Sequence, residues 1–162
     1  MKPPLKVIGI DPGLADTGFG IVEGVGSHIG GYSFGTIRTS KAESLANRLD
    51  QIFSELSSIL NSEKPNLMVI EDVFSLKEYP KSGIALGKVC GAILVAGVRC
   101  GLQAVELPTR EAKRILTGNG NANKPQMEKA VRHFLKRESA ITPSHASDAL
   151  ALALVGLFRH VS

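Results

Sequence analysis

The 162-residue sequence predicts an α/β fold in which helices flank a mixed five-stranded sheet. Three apolar segments joined by short glycine-containing turns open the chain, and this pattern is typical of an antiparallel meander. Apolar residues then recur at helical spacing, and helical and strand segments alternate to the end of the chain. Because we find no repeat, low-complexity tract or linker, we expect a single domain over residues 1–162.

The three meander strands are marked by apolar runs and by the turns between them. Val7–Ile10 stops at Asp11-Pro12-Gly13, which is a turn sequence. We expect the second strand at Gly18–Val22. The third covers about Ser27–Arg38, after the turn Gly24-Val25-Gly26.

Helical periodicity begins after the meander, with an apolar stripe from Leu45 to Leu60. Ser40 and Glu43 fit a capping box at the start of this helix, and Pro65 marks its end. A continuous apolar strand follows, Leu67–Ile70, suited to a sheet that is covered on both faces. We expect the later elements to be a helix near 82–99, a strand at 103–107, helices opening near Pro108-Thr109 and Pro125, and a last helix from about Pro143 to His160.

The composition argues against a membrane or secreted protein. The most apolar stretch, Ile84–Val98, is interrupted by glycines and Lys88 and is shorter than the roughly 20 residues that a membrane span needs. We therefore interpret it as a buried helix. The N-terminus does not resemble a signal peptide, which favours the cytosol. Cys90 and Cys100 would lie roughly 15 Å apart on a helix, so we expect two buried, reduced thiols.

Charge is distributed unevenly along the chain. Residues 77–137 contain 12 basic and 4 acidic side chains, whereas residues 1–76 contain 6 and 9. A basic section beside scattered carboxylates indicates a polyanionic partner. Charge alone leaves an ordinary solvated surface equally open.

Three acidic residues stand at the ends of predicted elements. Asp11 ends the first strand, Glu71 follows the strand Leu67–Ile70, and Asp148 lies near the start of the last helix, three residues after His145. Each has an ordinary explanation alone: a turn former, a solvated strand end, and a charge complementing the helix dipole. Together they suit hard divalent cations such as Mg²⁺, and two such ions would assist phosphodiester hydrolysis.

Four motifs together resemble the RuvC-type Holliday-junction resolvases, in the order and spacing of that family and over nearly the whole chain. They are Gly9-Ile10-Asp11-Pro12-Gly13 with Thr17-Gly18-Phe19-Gly20, Val69-Ile70-Glu71-Asp72-Val73-Phe74, Ala85-Leu86-Gly87, and Ser144-His145-Ala146-Ser147-Asp148-Ala149-Leu150-Ala151.

The resemblance implies an RNase H-like core, a cytoplasmic homodimer with two active sites, and paired nicks in a four-way DNA junction. It further implies that Asp11, Glu71, Asp148 and His145 hold two Mg²⁺ ions per site, with Mn²⁺ as a plausible substitute. His145 would either ligate metal or activate water. A branch-migration motor is an implied partner, although no residue here identifies its contact surface.

The resemblance also implies three DNA-binding residues. Phe74 matches an aromatic that stacks on unpaired junction bases, and Lys113 and Lys124 match lysines that contact the DNA backbone. Two departures, Asp72 after the glutamate and Lys88 in place of a common glutamine, lie near the expected dimer and DNA surface. They bear on the preferred cleavage sequence more than on catalysis.

Three other functions are compatible with parts of the sequence. An RNase H-like nuclease acting on structured RNA shares the Gly-x-Asp-x-Gly opening, but the Phe74 region and the pair His145/Asp148 argue against it. A sugar-kinase or actin-like ATPase needs two such domains, for which 162 residues leave no room. A junction-binding protein that does not cut is disfavoured because every acidic position is retained.

Overall fold

A computed structural model of the chain describes residues 2–73 and 80–160. The strands form one sheet in the order β3-β2-β1-β4-β5, in which β1, β2 and β3 are antiparallel, β4 is parallel to β1 and β5 is parallel to β4. The predicted mixed sheet is confirmed. The elements are β1 (Leu5–Asp11), β2 (Asp16–Val25), β3 (His28–Arg38), α1 (Leu45–Glu63), β4 (Leu67–Asp72), α2 (Pro80–Arg99), β5 (Ala104–Pro108), α3 (Thr109–Thr117), α4 (Lys124–Leu135) and α5 (Ser144–Arg159).

The sheet separates two apolar cores, and the central strands contribute to both. Successive side chains of a strand point to opposite faces, so Val7 packs on the side of α3, α4 and α5 while Ile8 packs on the side of α1 and α2. In β4, Val69 and Ile70 divide between the two cores in the same way. This alternation explains why both strands are continuous apolar runs in the sequence.

Helix α5 lies directly on the backbone of β1 and β2, because glycines in these strands remove the side chains that would hold it away. A Cβ atom at Gly9 would lie 2.0 Å from the carbonyl oxygen of Ala149, and one at Gly18 would lie 2.1 Å from that of His145. Neither distance is sterically possible. The first turn of α5 is therefore fixed against the end of the sheet at which β1 finishes.

The expected capping box at the start of α1 is wrong. The helix begins after Ser44, whose hydroxyl accepts a hydrogen bond from the amide of Asn47. Ser40 instead accepts the amide of Ala42, and the amide of Glu43 donates to the carbonyl of Ser40, so both residues belong to a turn before the helix. Serine is favoured as the N-cap residue of a helix, so Ser40 and Ser44 are both suitable candidates. Ser44 is the N-cap, and Ser40 lies in the turn before it.

The expectation that the apolar stretch of α2 is a buried helix holds for one face only. Val89, Ile93 and Ala96 are buried against the sheet, whereas Ile84 is 64% and Val98 is 67% exposed. A helix packed on one side buries a single stripe of its surface. Among the described residues, one helix (Lys81–Arg99) is long and apolar enough to cross a membrane by length and composition alone, and 28% of its most apolar window is buried.

Both cysteines are free thiols, as expected, but only one of them is buried. Cys90 lies on the face of α2 that packs in the core, and burial is the main reason that the pKa of its thiol is raised to about 11. Cys100 is half-buried, because it follows the last residue of α2 and lies where the chain turns towards β5.

Candidate active site

Strand alternation places two of the predicted acidic residues on the face of the sheet that carries α5. Asp11 lies two residues after Gly9 in β1, and Glu71 lies two residues after Val69 in β4. The parallel register pairs Gly9 with Val69, so both carboxylates reach the same edge of the sheet. Asp72 has the opposite parity and therefore points to the α1–α2 side. Of the two neighbouring acids in β4, only Glu71 is oriented towards α5.

Helix α5 supplies the other two predicted site residues. His145 is its second residue and Asp148 lies three positions later on the same face. The four side chains line one cavity of about 230 Å³. The full set of lining residues is Asp11, Glu71, Thr109, Ala112, Lys113, Lys124, Met127, His145, Asp148, Ala151 and Leu152.

Asp11 is the most buried acid of this cavity, with 6% of its surface exposed. Its Oδ2 atom lies 2.8 Å from Nδ1 of His145. Burial, a hydrogen bond with Glu71 and the nearby charges of Glu71 and Asp148 raise the pKa of Asp11 from its ordinary value of 3.8 to about 9. Burial and the neighbouring acids thus make the charged form of Asp11 unfavourable in the metal-free cavity.

Asp148 faces the basic side of the cavity. Its Oδ2 atom lies 3.8 Å from Nζ of Lys124. Burial raises the pKa of Asp148, and the charge of Glu71 adds to this, whereas Lys124, His145 and Lys113 oppose it. One small cavity therefore contains an acid next to an exposed lysine and an acid buried beside other acids.

The two predicted backbone-contacting lysines both line the cavity. Lys113 projects from α3. Lys124 is the first residue of α4, where the side chain of Asn123 accepts the amide of Gln126 and the side chain of Gln126 accepts the amide of Asn123. This capping box fixes the backbone of Lys124, while its side chain stays 74% exposed. Phe74, the third predicted DNA-binding residue, lies outside the described residues.

Thr109 was missed in the sequence although it contacts one of the acids directly. It is the first residue of α3, and its hydroxyl donates a hydrogen bond to Oε1 of Glu71. The contact arises because β4 and β5 are parallel and Glu71 is in register with Leu107, two residues before Thr109. The order of these strands, which the sequence left open, was the information needed to find it.

Comparison with known proteins identifies the family. A family model described as crossover junction endodeoxyribonuclease RuvC matches residues 7–156. The chain belongs to the RuvC family. A relative of that name from Coxiella burnetii is 40% identical over 94% of this chain and 87% of the relative. One from Prosthecochloris aestuarii is 37% identical over 93% of this chain and 80% of the relative.

Solved structures of RuvC proteins have the same fold. The Thermus thermophilus RuvC in complex with a Holliday junction substrate superposes with a TM-score of 0.91 at 29% identity, covering 97% of this chain and 95% of that one. The yeast mitochondrial Holliday junction resolvase Ydc2 gives 0.65 at 12% identity, covering 98% and 80%, and shows the shared fold alone. The RNase H-like fold expected from the resemblance is thus confirmed.

Membership of the RuvC family bears on the alternatives. It places the chain among DNA junction endonucleases rather than among RNA-processing enzymes or two-domain ATPases.

The donor set of the cavity fits divalent metal ions. Three carboxylates and one imidazole offer the oxygen-rich surroundings that Mg²⁺ prefers. Burial and neighbouring acids raise the pKa of Asp11, and a bound cation would favour its charged form. Within residues 2–73 and 80–160, no three His, Cys, Asp or Glu side chains already stand as a preformed set of ligands. Binding would exchange present contacts, such as that between Lys124 and Asp148, for metal contacts.

Proposed function

We propose that this chain resolves four-way DNA junctions by paired, symmetric nicks, and that Asp11, Glu71, Asp148 and His145 form its catalytic site with two Mg²⁺ ions, for which Mn²⁺ can substitute. The observation that supports this most directly is their convergence in one cavity from two strands and a helix. These residues are far apart in sequence, and the register of β1 with β4 and the packing of α5 on the sheet bring them together.

The side chains divide the chemistry between them. The contact with Asp11 engages Nδ1 of His145, which leaves the other ring nitrogen to ligate metal or accept a proton from the attacking water. Lys113 and Lys124 line the cavity and would bind the phosphates that flank the scissile bond. When bound, the metal ions would lower the pKa of the attacking water and stabilise charge on the leaving oxygen.

Paired nicks require two active sites, and we propose that a homodimer supplies them. The exposed apolar side chains of α2, notably Ile84, Val95 and Val98, support this assembly because such a surface is costly to leave in water. Sedimentation of the native chain and of Val98→Glu would test it. A monomeric native chain at micromolar concentration would contradict the proposal. Cytoplasmic location and association with a branch-migration motor remain predictions.

A strand-specific cleavage assay tests the nuclease proposal. A synthetic four-way junction, labelled on each strand in turn, is incubated with the native chain with and without Mg²⁺. We expect symmetric nicks in two opposed strands with Mg²⁺ only. Linear duplex DNA and structured RNA serve as control substrates, and preferential cutting of the RNA would instead support the RNA-directed alternative.

Amide variants separate catalysis from binding. Asp11→Asn and Glu71→Gln should abolish cutting while each protein still binds the junction in a gel-shift assay, because they remove metal ligands and leave both lysines in place. Loss of junction binding by a folded variant would contradict a purely catalytic role. A native chain that binds but never cuts with Mg²⁺ or Mn²⁺ would establish the non-cleaving alternative.

A further inference from the structure

The hydroxyl of Thr109 donates a hydrogen bond to Oε1 of Glu71, from the start of the neighbouring helix α3. Thr109 is the first residue of α3, and Pro108 before it makes no side-chain cap hydrogen bond. Threonine is branched at Cβ, so few χ1 rotamers are open to it. A donor with few rotamers, the hydroxyl of Thr109, therefore contacts one carboxylate oxygen of the flexible side chain of Glu71.

Glu71 needs such a partner more than the other acids do. Its carboxylate ends a side chain with three rotatable bonds, and the last of these has a broad energy minimum. Asp11 is shorter, is held by His145 and is almost fully buried. A glutamate at the half-buried end of β4 would otherwise lose considerable side-chain entropy on taking up one ligand geometry.

A neutral hydroxyl also orients the carboxylate without competing with a cation. Lysine beside a carboxylate, as in the pair Lys124 and Asp148, adds positive charge where a metal ion would stand. Threonine adds none, and a carboxylate that accepts one hydrogen bond at Oε1 keeps further lone pairs for a metal ion. Partners of this kind commonly change metal affinity or activity by 10–100-fold.

We propose that Thr109 is a positioning residue that holds the carboxylate of Glu71 in the orientation needed to bind metal. This inference rests on the proposed function, in which Glu71 is a metal ligand. It predicts that removing the hydroxyl weakens metal binding before any effect on DNA binding. Thr109→Val is the suitable change, because valine keeps the branched shape and loses only the hydroxyl.

The experiment measures metal dependence in two independent ways. Mn²⁺ is titrated into DNA-free protein and free Mn²⁺ is followed by electron paramagnetic resonance, and junction cleavage is measured across Mg²⁺ concentrations. For Thr109→Val we expect Mn²⁺ affinity to fall at least about tenfold, and the Mg²⁺ concentration for half-maximal cleavage to rise by a similar factor. Thr109→Ser, which restores the hydroxyl, should recover most of both.

Thr117→Val is the matched control. It removes a hydroxyl from the same helix, but this hydroxyl donates to the main-chain carbonyl of Lys113 and not to a carboxylate. We expect its Mn²⁺ affinity and Mg²⁺ dependence to match those of the native chain. If Thr117→Val weakens Mn²⁺ binding as much as Thr109→Val does, the weaker binding results from lower helix stability and the positioning role is refuted.

Failure of this inference can be told apart from failure of the proposed function. If Glu71→Gln abolishes cleavage and Mn²⁺ binding while Thr109→Val binds Mn²⁺ like the native chain, only the role of Thr109 is refuted. If Glu71→Gln leaves Mn²⁺ affinity and cleavage intact, the proposed catalytic site fails and the role of Thr109 fails with it. Weak Mn²⁺ binding by Thr109→Val, rescued in Thr109→Ser, supports the proposal.

Discussion

Replacing Asp11 with asparagine should stabilise the metal-free protein at neutral pH, although the same change should abolish cutting. The pKa of Asp11 is raised from 3.8 to about 9, so the folded chain binds its proton more tightly than the unfolded chain. A raised acid pKa contributes stability at low pH that is lost as the pH rises from 3.8 towards 9. Asparagine is neutral at every pH in this range, so the variant does not lose stability in this way.

The magnitude follows from the pKa. At pH 7, 3.2 pH units above the ordinary pKa of 3.8, the native chain has lost about 4 kcal/mol relative to strongly acidic solution, at about 1.36 kcal/mol per unit. At pH 5 the loss is smaller, on the order of 1–2 kcal/mol by the same conversion. The advantage of Asp11→Asn over the native chain should therefore shrink by roughly 2–3 kcal/mol between pH 7 and pH 5. The amide's own packing cost is common to both conditions and cancels.

Urea denaturation in the presence of a chelator, at both pH values, measures this difference. Asp50→Asn is the control, since Asp50 is exposed on α1 and its replacement should change stability by less than about 0.5 kcal/mol. Added Mg²⁺ should stabilise the native chain and leave Asp11→Asn unchanged, because only the native site binds it. A stability difference between variant and native chain that does not change with pH would refute the reasoning.

Three further changes test the packing of the site and its contacts with DNA. Gly18→Ala should lower the free energy of unfolding by about 1–3 kcal/mol and reduce cleavage, since a Cβ there meets the backbone of α5, whereas Gly31→Ala, which meets nothing within 4 Å, should be close to neutral in urea denaturation. Lys124→Ala should reduce the salt dependence of junction binding by about one counterion, and Lys41→Ala on an exposed turn should not; equal slopes would argue against a phosphate contact. Phe74→Ala should weaken distortion of the junction, measured by fluorescence energy transfer between its arms, while the fold is retained; unchanged cleavage and distortion would remove the stacking role.

The strands of the sheet could be predicted because each is specified by its own residues. The apolar runs of β1 and β4 indicate burial on both faces, and the structure has both at the centre of the sheet. The start of α1 could not be predicted, since Ser40 and Ser44 have the same local preference. The choice between them is tertiary: Arg48 of the helix donates to Thr39, which fixes the turn before the helix.

The acids of the candidate site could be predicted for a similar reason, as each stands at the end of an element with a strong pattern. Parity along β4 also separates Glu71 from Asp72 once the buried face is known. Contacts between elements could not be predicted, and both Thr109 to Glu71 and Lys124 to Asp148 are of this kind. They depend on which strands are neighbours and on where α3 and α4 return over the sheet.

The close packing of α5 against the glycine backbone of β1 and β2 has a mechanical consequence. Residues from Ala149 to Leu157 are all buried, so this helix cannot lift without opening the larger of the two cores. Amide protons along it should exchange with solvent only when the entire molecule unfolds. The carboxylate of Asp148 thus keeps its position for as long as the native state lasts, while the exposed ammonium of Lys124 beside it can still move to contact a phosphate.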